Sequence, residues 1–110
     1  MFVGVLELRF DLAQVGRGGA PLDKKAKRSR VRSVVSRLRS RFEVAVAEVE
    51  AQDDPGRAII GLSTVSSDSA VVDSVLSRAR DATESQLAGE AELYEAHLEI
   101  MNVSFEHRRP

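Results

Sequence analysis

A chain of 110 residues is the length of one domain, and 43% apolar with 30% charged residues is ordinary for a globular protein. The net charge of −1 conceals an uneven distribution: nine of the sixteen Lys and Arg residues lie between Lys24 and Arg41, with no carboxylate among them. The absence of cysteine excludes disulfides and thiolate metal sites, and no apolar run approaches the ~18–20 residues that span a bilayer. The chain opens directly on a strand-like pattern, with no leader signature, so the expected compartment is the cytoplasm.

Phe2 to Leu12 alternates, with Leu6, Leu8, Phe10 and Leu12 on one side and Glu7, Arg9 and Asp11 on the other, the period of a half-buried strand. AQVGRGGAP is a loop by its glycines and proline, and a long one. Asp23 can cap a helix running to about Phe42, on which Val31, Val34, Val35, Leu38 and Phe42 form a core-facing stripe. VAVAEV at 44–49 and RAIIGLSTV at 57–65 read as a hairpin around an Asp-Pro-Gly turn. Ser66 and Ser67 offer caps for a second helix with Val72, Val75, Leu76 and Ala79 inward. A last alternating strand places Tyr94, Ala96, Leu98 and Ile100 inward, before a short tail at 104–110.

The order β-α-β-β-α-β with right-handed crossovers predicts an α+β, ferredoxin-like sandwich over residues 1–103: a four-stranded antiparallel sheet with two helices on one face.

The first helix carries the most distinctive chemistry. At 100° per residue, Ser29, Ser33, Ser36 and Ser40 line up opposite the apolar stripe. Lys25, Arg28, Arg32 and Arg39 flank that row on one edge and Arg30, Arg37 and Arg41 on the other; Lys27 is counted among the same contacting cations. Like charges three or four apart cost about 0.2–0.5 kcal/mol per pair on an exposed helix, and cations crowd the N-terminal turns, where the macrodipole prefers anions. A pattern that breaks local rules without visible compensation marks a candidate functional surface. Arginine forks and serine donors suit phosphate, and RNA is the expected ligand. The competing readings are a merely solvated helix, neutralised by carboxylates elsewhere, and contact with an acidic protein.

The other sheet face is expected to show Glu7, Arg9, Asp11, Glu48, Glu95, His97 and Glu99, which is acidic and without aromatics, so base stacking there is not expected. Val5, Val49 and Met101 leave it partly apolar, which suits a homodimer interface or a protein partner. No nucleophile–base pair, metal cage or cofactor motif is visible, and no catalytic residue is assigned. His97 between Glu95 and Glu99 reads as a salt-bridged strand surface. The GRGG loop with Arg17 could cradle a phosphate. Acylphosphatases place such a loop there on this fold, but they need an asparagine near the second strand, where EVAVAEVE has none.

VGVLEL, Lys25, Lys27-Arg28, RSVVSRLRSRF, VAVAEVE, Asp53 and RAIIGLSTVSSD together resemble the YlxP-like family of bacterial proteins, a domain of unknown function, over about residues 2–103. The loop at 13–22 looks longer than usual for that family, and Pro55-Gly56 replace an aromatic-glutamine pair. The resemblance implies a ferredoxin-like fold, and gene neighbours in translation imply ribosomal RNA as a partner. It brings no catalytic residues. The resulting expectation is a non-catalytic, cofactor-free, non-membrane protein, homodimeric, that binds RNA or a ribosomal particle through its first helix; the alternative is a regulatory or scaffolding module acting through the sheet face.

Overall fold

The computed structural model describes residues 1–12 and 22–106. The GRGG loop with Arg17, and His107, lie outside the described residues. The elements are β1 (Phe2–Asp11), α1 (Lys24–Arg41), β2 (Ala45–Glu50), β3 (Arg57–Ser66), α2 (Ser69–Gln86) and β4 (Glu92–Asn102). The four strands form one sheet in the order β2-β3-β1-β4, with every neighbouring pair antiparallel. Both helices cover one face, giving the ferredoxin-like sandwich expected from the element order.

Alternation along β1 sends Leu6, Leu8 and Phe10 under the helices, where they meet Val31, Val34 and Leu38 of α1 and Val72, Leu76 and Ala79 of α2. Gly4 belongs to the same row. A side chain there would collide with Val72 and Leu76, so glycine sets how closely α2 approaches β1. Asp23 caps α1, its carboxylate accepting from the Ala26 amide at 2.7 Å. Asp68 caps α2 by accepting from the Ala70 amide at 2.9 Å, and the expected serines do not: Ser66 instead accepts from the Asp68 amide at 3.2 Å, tightening the turn before the cap. Val75 is half-buried, and the fourth fully buried position of α2 is Thr83, whose hydroxyl donates to the Ala79 carbonyl at 2.8 Å.

Two β-bulges interrupt the sheet, and two expected side-chain directions are corrected. In β4 the pairing with β1 shifts between Arg9, opposite Glu95, and Phe10, opposite Leu93. Tyr94 is the extra residue, so Leu93 joins the core, and Tyr94 lies on the far side, with Arg57 over its ring at 5.9 Å. In β2 the shift falls between Glu48, opposite Ile60, and Glu50, opposite Ile59. Val49 is the extra residue there. Glu48 precedes that bulge and stays in alternation with buried Val46, so it points under the helices with Ile60 and not outward with the acidic face as expected.

Candidate nucleic-acid interface

Lys27, Val31, Val34 and Leu38 are the buried stripe of α1. Lys27 is only 2% exposed, so it does not belong to the cationic surface with which it was grouped. Its ammonium lies 2.9 Å from Oε2 of Glu48 and donates to the Ala51 carbonyl at the end of β2, with a longer contact of 3.5 Å to that of Gln52. The Glu48 contact is a charge contact rather than an aligned hydrogen bond. Ala51 has φ of 60°, a conformation uncommon outside glycine, and the lysine holds the chain at this turn.

The remaining expected cations, Lys25, Arg28, Arg30, Arg32, Arg37, Arg39 and Arg41, are all exposed. Three of them have protein partners. Arg30 pairs with Glu90 at 2.7 Å, Arg39 reaches the β2 edge to donate to the Val46 carbonyl at 2.9 Å, and Arg41 stacks on Phe42 at 5.4 Å. Among the described residues, Lys24, Lys25, Arg28, Arg32 and Arg37 have no carboxylate within 4 Å, whereas Arg9, Lys27, Arg30 and Arg80 are all ion-paired. Arg28 stands one turn before Arg32 and three residues after Lys25, so the repulsion is real and local. Of the serine row, Ser40 donates to the Arg37 carbonyl at 3.0 Å and Ser33 accepts from Gln86 at 3.3 Å.

One cation of this surface is on α2. Arg78 lies over the Phe42 ring at 5.8 Å and extends the positive surface across the helix pair. Helical spacing sets Arg78 near Val71, Val75, Ala82 and Gln86, with Asp81 one turn on at its solvent side but not within ion-pair distance; Asp73 and Glu84 fall on the opposite flank.

The face of the sheet away from the helices divides by cross-strand rows. One end is apolar: Met101, Val3 and Val65 form a row, with Val5 beside Ser63 and Ala45 in the next. Val5, Val49 and Met101, the expected interface residues, are 42%, 45% and 40% exposed. Val49 packs over Gly61, whose missing side chain leaves a shallow groove lined also by Val5, Ala45, Ala47 and Ser63. The other end is charged. Arg9 contacts Glu7 at 2.7 Å, Glu50 at 3.6 Å and Glu95 at 3.7 Å. The Glu7 carboxylate, hydrogen-bonded to it, is the main cause that raises the guanidinium above its ordinary range. Its reach to Glu50 spans Ile59, which stays 4% exposed although it faces away from the core. His97 is 2.9 Å from Glu95 in the same charged zone. Tyr94 is the aromatic that the alternation had turned inward. Being engaged by Arg57 and Arg9, and single, it makes no stacking platform of the kind RNA-recognition sheets use.

Residues 3–98 match the model of a family described as a protein of unknown function, DUF503. The chain belongs to that family. A search of curated proteins gives no match. Among solved structures it is similar to a chlorite dismutase-like protein, with a TM-score of 0.55 and 11% identity, over 91% of this chain and 44% of the other. It is also similar to a hydantoinase/carbamoylase family amidase from Burkholderia ambifaria, with a TM-score of 0.50 and 16% identity, over 91% of this chain and 27% of the amidase. The chain thus spans less than half of either protein. At these identities the likeness shows a shared fold and nothing about activity.

Proposed function

We propose that this protein is a non-catalytic RNA-binding protein, YlxP-like within its family, that contacts the phosphates of an RNA or of an RNA-rich ribosomal particle in the cytoplasm through α1. The supporting observation is the contrast among its cations. Those on β1, on the outer flank of α2 and where α1 meets the turn before β4 are neutralised by carboxylates, while Lys25, Arg28, Arg32 and Arg37 are exposed and have none among the described residues. A polyanion relieves that repulsion and gains charge-assisted hydrogen bonds, and serines between the ridges add neutral donors. Among the described residues no aromatic stacking platform accompanies them, so binding is expected to be indifferent to sequence.

Replacing Lys25, Arg28 and Arg32 together by Gln tests this, because none of the three has a protein partner whose loss would confuse the result. Affinity for unrelated RNA sequences should fall alike, by at least about tenfold at low salt, and the log–log salt slope should flatten by roughly 0.7–0.9 for each lost contact. Thermal stability should be unchanged or slightly higher. Unchanged RNA affinity in this variant rejects α1 as the site.

The apolar end of the sheet supports a second reading, in which two copies pack face to face. The groove over Gly61 lies to one side of Val5 and the Met101 side chain to the other, so a two-fold axis near Val5 would set each copy's Met101 over the other's groove.

A further inference from the structure

Arg41, at the end of α1, and Arg78, in the middle of α2, both stack on Phe42, at 5.4 and 5.8 Å from its ring centroid. One half-buried ring is thus the shared contact of two exposed guanidinium groups from different helices. Arg37 stands one turn before Arg41 on the same ridge. Neither Arg41 nor Arg78 has a carboxylate within 4 Å among the described residues, although Glu43 and Asp81 are nearby in sequence. Two cations that share one aromatic ring and have no ion-pair partner are candidates for an anionic ligand. Stacking restricts the arginine side chains before any ligand arrives, which lowers the ordering cost of binding, and each guanidinium can present a two-pronged donor to a phosphate.

We infer that Arg41, Arg78 and the Phe42 ring form an anion clamp for a single phosphate group, which bridges the two helices and extends the RNA footprint from α1 onto α2. This rests on the reading of α1 as the RNA surface and adds a residue from outside it. With Arg78 of α2 as a contact, the bound strand runs across the helix pair at this end rather than only along α1.

The test compares three proteins by fluorescence anisotropy with one labelled RNA duplex over a range of salt: the natural chain, Arg78→Gln, and the α1 variant with Lys25, Arg28 and Arg32 changed to Gln. Arg78→Gln should bind about three- to tenfold more weakly at low salt, with the slope flatter by about 0.7–0.9, the loss of one phosphate contact. Arg78→Lys should recover the slope but not the full affinity, because it restores charge without the fork. If Arg78→Gln matches the natural chain while the α1 variant is weakened, the clamp is wrong and the α1 reading stands. If neither variant is weakened, both are wrong. Titration with inorganic phosphate, followed by the arginine Nε–Hε resonances, separates the two sources of the group. Saturation at Arg78 by free phosphate at micromolar concentration, with RNA affinity unchanged in Arg78→Gln, would mark a small-anion site and overturn the RNA assignment.

Discussion

Glu48→Ala should cost about 3 kcal/mol of folding stability, read as a lower denaturant midpoint with an unchanged slope. Removing one partner of a buried ion pair leaves the other charge without compensation, and Lys27 is 2% exposed. The value sits at the low end for such pairs because the Ala51 and Gln52 carbonyls still accept from the ammonium, and Glu48 itself keeps 17% of its side-chain surface. Lys27→Met combined with Glu48→Leu should behave quite differently. Replacing both partners removes both charges together with their desolvation cost, so the loss should be smaller than for Glu48→Ala alone. RNA affinity should be untouched by Lys27→Met, since the lysine has no access to a ligand. A Glu48→Ala protein as stable as the natural one would show that Lys27 escapes to solvent and belongs to the cationic surface after all.

Self-association carries the other large effect. Light scattering at micromolar concentration should report twice the mass of one chain, and Val5→Lys or Met101→Lys should return it to one. Either lysine would place an ammonium in the apolar end of the face, where the rows of Val3, Val65 and Met101 and of Val5, Ser63 and Ala45 offer no carboxylate but Glu99 at the β4 edge. Glu7→Gln, at the charged end, should leave the mass at two chains. A natural chain that stays monomeric at high concentration removes the sheet face as an interface and leaves its exposed valines unexplained.

The strands, helices and topology were legible because period-2 and period-3.6 patterns are strong in this chain and the turn residues agree with them. The misplaced side chains have different causes. A β-bulge inserts one residue without altering composition, so alternation carried through position 94 assigned Tyr94 to the wrong face, whereas Glu48 lies two residues after buried Val46 and its outward placement followed its charge against the alternation. Lys27 was legible in principle: it stands four residues before Val31 and seven before Val34, inside the apolar stripe, and a lysine there signals a buried partner rather than a surface cation. Its charge hid its spacing. Arg78 could not be joined to the basic surface from sequence, because that requires knowing which flank of α2 lies against α1. The free ridge of Lys25, Arg28 and Arg32 was legible, since the lack of nearby carboxylates is local to its own helix.

The most direct test is the salt dependence of RNA binding by the natural protein. Labelled RNA duplexes of unrelated sequence, titrated between about 50 mM and about 200 mM salt, should give one common line with a log–log slope of roughly −3 to −5, as expected for four to six phosphate contacts at about 0.7–0.9 each. A flat line, or no binding at the low-salt end, would contradict a phosphate-binding role for α1.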